Sequence, residues 1–199
     1  MSATIGRPAL VAAMLSAMMG TMTGRPDRED QPTHGSDPTT RSSDSEMASA
    51  LIRSKRAFVD SALGLLAAGY TPTFGYTQYS ICSDDSVEWR VTANGRFDRE
   101  QPTGSTRAHV DEIRDELASV GWTPDDSETS PDGIRELGSH WIVTVTRQDL
   151  TINVSLYASQ PYVLMRVLGP CLPATPEQRQ DYETAEDERF AVPSTSDGA

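Results

Sequence analysis

Two stretches of the chain carry apolar residues at helical spacing. In the first, which begins at Glu46, apolar side chains recur every three or four positions until Gly69. In the second, residues 103–106 precede an apolar series at i, i+3, i+7 and i+10 that ends at Gly121. The sequence therefore predicts two amphipathic helices, each with one face to bury.

Five further segments are typical of strands, and three of them, 87–93, 141–146 and 150–157, alternate apolar and polar residues. Segments 76–81 and 87–93 flank Asp84-Asp85, and this arrangement predicts a hairpin. A polar loop over 123–138 follows the second helix. Three more apolar segments come after the loop, at 141–146, 150–157 and 162–168, and short turns separate them. These segments predict successive antiparallel strands.

The pattern as a whole predicts one α+β domain over 46–173. Its antiparallel sheet has about five strands, covered on one face by two helices in the order α-β-β-α-β-β-β. A short internal similarity accompanies this order, because Gly69-Tyr70-Thr71-Pro72 recurs as Gly121-Trp122-Thr123-Pro124. Either the chain contains a duplicated α-β-β unit, or two helix stop signals coincide by chance.

The ends of the chain differ in composition from this domain. Segment 1–23 joins Arg7 to an uncharged, mostly apolar run, which is typical of a signal peptide, with a buried N-terminal helix as the alternative. The run is shorter than the roughly 20 apolar residues of a membrane span, so any membrane association would involve this segment only. Segment 24–45 predicts a disordered linker. Segment 174–199 predicts an acidic, mostly disordered tail, with a short helix around 177–188 as the alternative.

Two cysteines, Cys82 and Cys171, each stand beside a predicted strand end. An even number of cysteines behind an export signal favours a disulfide, and no C-x-x-C spacing points to redox chemistry. We therefore expect an exported protein, located in the cell envelope on the outer face of the cytoplasmic membrane or in the medium.

The net charge of the chain limits the classes of partner that it can bind. Acidic residues outnumber basic ones 29 to 17, and the net charge of −12 excludes nucleic acid, whose binding depends on basic residues. Lys55 is the only lysine, and this preference for arginine is typical of the GC-rich genomes of actinobacteria.

Candidate catalytic residues are few. His109 and Glu112 are at i, i+3 on the second helix, and His140 begins a strand beside Ser139. No G-x-S-x-G, H-E-x-x-H or phosphate-binding loop accompanies them. We expect no enzyme activity, no cofactor and no metal site. A hydrolase or other enzyme that uses His140 or His109 is the alternative.

Four aromatic residues lie close together between the first helix and Cys82: Tyr70, Phe74, Tyr76 and Tyr79. Exposed aromatic clusters can form a partner surface, whereas packing between helix and sheet is the alternative.

The chain resembles the short mycobacterial and actinobacterial predicted lipoproteins of the LppA type. The resemblance lies in the order of the elements, in Val120-Gly121-Trp122 at the helix end and in Leu168-Gly169-Pro170-Cys171 after the last strand. It implies an envelope location and no particular activity. Thr21 stands where such a lipoprotein would carry its acylated cysteine, so the resemblance does not extend to lipid attachment.

These observations lead to an expected function. The protein is an exported, non-catalytic binding module for another protein or a cell-wall component. An inhibitor or immunity-type partner, whose acidic surface would cover a basic protein, is a further alternative.

Overall fold

A computed structural model of the chain gives the fold. It describes residues 38–83, 87–99 and 104–193, with side chains from residue 44 onward. The predictions for the signal-like segment, for most of the linker, for Asp84-Asp85 and for 194–199 lie outside the described residues.

The described residues form three α-helices, α1 at Pro38–Ala67, α2 at Arg107–Ser119 and α3 at Pro176–Thr184, and a 3₁₀ turn at Pro131–Gly133. The first two are the predicted helices, although α1 begins earlier than Glu46, within the segment assigned to the linker. Gly69 and Gly121 follow α1 and α2 with φ of 81° and 92°. Glycine adopts this left-handed conformation without strain, so both helices end where the sequence predicts.

In the part of the chain that the structure describes, one antiparallel sheet holds nine strands, so the prediction of about five was wrong in number. The predicted five are all present, and four short ones join them, each of two to four residues. A strand of two to four residues is too short to show the alternation of apolar and polar residues that predicts a strand. In chain order they are β1 Tyr70–Ile81, β2 Glu88–Arg99, β3 Thr123–Pro124, β4 Ile134–Leu137, β5 His140–Arg147, β6 Leu150–Tyr157, β7 Tyr162–Leu168, β8 Leu172–Pro173 and β9 Glu188–Phe190.

The strands lie side by side in the order β3-β5-β6-β7-β2-β1-β9. The short β4 pairs with β5, and β8 pairs with β2. The β1–β2 hairpin and the β5–β6–β7 meander therefore join along the β7–β2 pair. The element order differs from the predicted α-β-β-α-β-β-β, because two short strands follow α2 and two strands and a helix follow β7.

The hydrophobic core lies between one face of the sheet and the helices. Strand β6 shows the alternation, since Leu150, Ile152, Val154 and Leu156 are all buried. Helix α1 adds Phe58, whose ring lies where a Cβ on a residue at position 95 would stand. Glycine at that position in β2 therefore lets α1 approach the sheet closely.

The C-terminal segment differs from the expected disordered tail. Its helix α3 begins with a capping box between Thr175 and Gln178, and β9 pairs with β1. Phe190 packs edge-on against Phe58, with ring centres 5.2 Å apart. Tyr182 stacks on Tyr79 at 4.5 Å. A few apolar side chains thus hold an otherwise acidic segment against the domain.

The disulfide between Cys82 and Cys171 is confirmed, with Cα atoms 6.0 Å apart. It joins the end of β1 to the residue before β8. The Nε of Arg90 donates a hydrogen bond to the Sγ of Cys82 at 3.2 Å.

The two Gly-aromatic-Thr-Pro segments occupy equivalent positions. Tyr70 opens β1 and Trp122 precedes β3, and both rings are buried in the core. An arginine lies over each ring, Arg99 over Tyr70 and Arg147 over Trp122. Arg99 is the last residue of β2, which pairs with β1, and Arg147 is the last residue of β5, which pairs with β3. This correspondence favours duplication over chance.

Candidate binding face of the sheet

The second face of the sheet, which we call the open face, carries none of the three helices. Side chains that alternate with the core residues point to it. Strand pairing arranges them in rows across the sheet. One row consists of Thr144, Asn153, Arg166, Asn94 and Tyr76. The adjacent row consists of Arg135, Ile142, Ser155, Leu164, Arg96 and Phe74.

A groove of about 340 Å³ lies across these two rows. Its lining mixes arginine, amide, hydroxyl, aromatic and aliphatic side chains, and none of the described residues that line it is acidic. A second depression of about 680 Å³ lies beside it, beyond Phe74 and Tyr76, toward Asp187 and Arg189 near β9. The two aromatic rings, 6.0 Å apart, form the boundary between the depressions.

Two arginines of the groove, Arg135 and Arg166, are exposed. Among the described residues, no carboxylate lies within ion-pair distance of either one. Nearby Arg96 differs, since its Nε is 2.7 Å from the Oδ1 of Asp98. The groove is therefore locally cationic in a chain of net charge −12.

The position of Arg166 is fixed by a buried amide. Its Nε donates a hydrogen bond to the Oδ1 of Asn94 at 3.1 Å, and Asn94 is only 7% exposed. This contact holds one edge of the guanidinium while the other nitrogens remain available as donors. Asn153 accepts at its Oδ1 from the hydroxyl of Thr144 at 2.9 Å, which leaves its amide NH₂ as a donor toward the groove.

The four aromatic residues of the predicted partner surface are not brought together. Phe74 and Tyr76 lie on the open face, whereas Tyr70 is buried in the core and Tyr79 lies beneath Tyr182. Regular alternation along β1 separates Tyr79 from Tyr76, and a register shift between Pro72 and Phe74 separates Tyr70 from both Phe74 and Tyr76. Without the shift, residues 70, 74 and 76 would share one face, because side chains alternate along a strand.

Burial also changes the pKa of Tyr70 and of Tyr79, which lie on the helix side of the sheet. Desolvation raises the pKa of Tyr70, and the nearby Arg99 opposes part of that rise. Desolvation also raises the pKa of Tyr79. Both hydroxyls stay protonated at neutral pH, so neither residue supplies an anionic group.

His109 caps a helix. Its Nδ1 accepts a hydrogen bond from the backbone N–H of Thr106 at 3.1 Å, at the start of α2. Desolvation and the charge of Arg99 lower the pKa of His109, against the opposing effect of Glu112. The ring is therefore neutral at pH 7, and its Nδ1 is engaged with the backbone.

His140 stacks on Tyr157 with ring centres 4.3 Å apart and planes 5° apart. Its Nε2 is buried without a hydrogen-bond partner in the described part of the chain. Neither histidine is among the residues that line the groove. Within the described ranges, no group of three or more His, Cys, Asp or Glu side chains is arranged to hold a metal ion.

No protein-family model, curated protein or solved structure matches the chain. None of the helices in the described residues is both long enough and apolar enough to cross a membrane.

Proposed function

We propose that the protein is an exported, non-catalytic binding module that holds its ligand on the open face of the sheet. The observation that carries this proposal is the groove, in which Arg135 and Arg166 face solvent without a carboxylate partner among the described residues. Unpaired arginines and exposed aromatic rings, placed together on rigid strands, are features of recognition sites.

Two observations support export. The disulfide between Cys82 and Cys171 suits an oxidising compartment, and the N-terminal sequence is of the signal-peptide type. The expected partner is a component of the cell wall or another protein outside the cytoplasmic membrane. An inhibitor that covers a basic protein would have to use a surface other than this groove, because the groove itself is cationic.

Binding to isolated envelope material tests the proposal. The full chain is incubated with purified cell wall and with secreted proteins from the producing organism, and the bound fraction is measured. The double variant Arg135→Gln/Arg166→Gln removes two positive charges from the groove. Its control, Arg53→Gln/Arg56→Gln, removes the same charge from exposed positions on α1.

We expect the groove variant to lose retention and the α1 variant to keep it. Equal retention by wild type and both variants would place binding elsewhere on the molecule. The same preparations give the intact mass before and after reduction. A mass without the first twenty or so residues supports export, whereas a full-length cytosolic protein with two free thiols contradicts it.

A further inference from the structure

We infer that the groove on the open face binds a carboxylate-bearing carbohydrate, whose acid groups are received by Arg166 and Arg135. The inference rests on the proposed function, because it takes the open face as the binding surface. It names the class of ligand that this surface fits.

The positive charge of the groove favours an anionic ligand. A guanidinium presents a planar set of donors that matches a carboxylate with two parallel hydrogen bonds. Arg166 is already oriented by Asn94 through a 3.1 Å hydrogen bond, so little side-chain entropy is lost when a ligand binds it. The absence of acidic side chains from the lining removes the repulsion that a carboxylate would otherwise meet.

The rest of the lining fits sugar rings. Asn153, Ser155 and Tyr157 offer amide and hydroxyl groups, which pair with hydroxyls that both donate and accept. Phe74 is 43% exposed and forms an aromatic surface with Tyr76 on the rim. The apolar faces of sugar rings can pack on such rings while their hydroxyls remain hydrogen-bonded.

An acidic peptide fits this surface less well. Extended peptides bind sheets at their edges, where backbone N–H and C=O groups are unpaired. Between Arg135 on the edge strand β4 and Phe74 on β1, the groove lies over β5, β6, β7 and β2, whose backbone groups are paired with neighbouring strands. Recognition over most of this face therefore depends on side chains, which favours a ligand rich in hydroxyls.

The separation of the two arginines sets the size of the ligand. Arg135 is on β4 and Arg166 is on β7, and β5 and β6 lie between them. Three strand spacings amount to about 14 Å between their backbones. A single uronic acid would contact one arginine, whereas an oligomer with acid groups on separate rings would contact both.

Calorimetric titration of the full chain tests this inference. The probes are a galacturonic acid tetramer, its monomer, a neutral galactose tetramer and a glutamate tetramer. We expect the acidic tetramer to bind at least about tenfold more tightly than any other probe. Arg135→Gln and Arg166→Gln should each weaken its binding about tenfold. Phe74→Ala should weaken binding of the sugar and leave that of the peptide unchanged, and Arg53→Gln/Arg56→Gln should change neither.

The other outcomes distinguish failure of this inference from failure of the proposed function. If the glutamate tetramer binds as tightly as the sugar acid, the ligand is an acidic peptide and the inference is wrong. If no sugar acid binds although the groove variant loses retention on cell wall or secreted protein, the inference fails and the proposed function stands. If no probe binds and the groove variant also keeps full retention, both fail.

Discussion

Arg147 lies over the indole of Trp122, with its guanidinium carbon 4.4 Å from the ring centre. Its Nη1 donates a hydrogen bond to the backbone oxygen of Val120 at 3.4 Å, and its Nη2 is 3.8 Å from a carboxylate oxygen of Asp60. One side chain on β5 thus contacts the end of α2, a buried ring and α1.

Replacing Arg147 by alanine should lower the free energy of unfolding by about 1 to 2 kcal/mol, since it removes a cation–π contact and a hydrogen bond. Urea unfolding followed by tryptophan fluorescence measures the change. Arg147→Lys should lose less, because the positive charge over the ring is kept. Arg135→Ala on the open face is the control and should leave stability unchanged. A loss no larger than that of the control would show that Arg147 has no structural role.

Stability should fall with decreasing pH through His109. Its folded-state pKa is lowered by burial and by Arg99, so the unfolded chain binds the proton more readily. The contribution of a neutral His109 is therefore complete above the ordinary imidazole pKa of about 6.5 and is lost as pH falls toward the lower folded value.

The variant His109→Gln isolates this effect. Glutamine at the third helical position can accept the same backbone N–H in a capping box but does not titrate. Urea unfolding between about pH 5 and 7.5 should show a smaller decrease for the variant than for wild type. Identical pH profiles would mean that His109 does not contribute to the pH dependence.

Loss of the disulfide should destabilise the fold strongly. Cys82 and Cys171 are 89 residues apart, and closing a loop of this length restricts the unfolded chain by about 4 to 5 kcal/mol on the chain-entropy estimate. Cys82→Ser, Cys171→Ser and the double variant should share one lowered urea midpoint. Reduced wild type should match them. A double variant as stable as the oxidised wild type would contradict the expectation.

Phe190→Ala tests the docking of the C-terminal segment. The ring is partly buried against Phe58, so its removal should lower the free energy of unfolding by about 2 kcal/mol. It should also increase protease cleavage in the segment after α3. Arg189→Ala, at the exposed neighbouring position of β9, is the matched control. Cleavage at equal rates in both variants would indicate that Phe190 does not anchor the segment.

Regular periodicity accounts for what the sequence predicted well. Helix α2 and strands β6 and β7 follow long apolar patterns, and β6 and β7 have the predicted bounds. Strands β8 and β9 were missed because they form by pairing with strands that are distant in sequence, whereas β4 pairs with the adjacent β5 but is too short to show a pattern. The C-terminal segment was predicted as mostly disordered from its acidic composition, with a short helix around 177–188 as the alternative. Helix α3 lies in that region, and the few apolar residues of the segment gain stability only through contacts with the folded domain.

The candidate site was harder to predict. The register shift after Pro72 places Tyr70 on the face opposite Phe74 and Tyr76, and its signal in the sequence, a proline and a glycine within the strand, was not used. Arg166 occupies a polar position of a predicted strand, whereas Arg135 lies in the segment that was predicted as a polar loop, and exposed arginines are common in both. That neither has an ion-pair partner among the described residues depends on the strand order, which the sequence did not predict. The resemblance to LppA-type lipoproteins stays a prediction.

Strand β9 pairs with the outer edge of β1 and covers part of the backbone groups that this edge would otherwise expose. β9 pairs with β1 over Gly75 to Thr77, and its Phe190 and Val192 lie against Gly75. During synthesis, β1 is made more than a hundred residues before its outer neighbour, as the sequence separation of 111 between Thr77 and Glu188 shows. A growing chain therefore exposes an unpaired edge of β1 until Glu188 to Phe190 have been made, and a product that stops before Glu188 keeps that edge open to other strands.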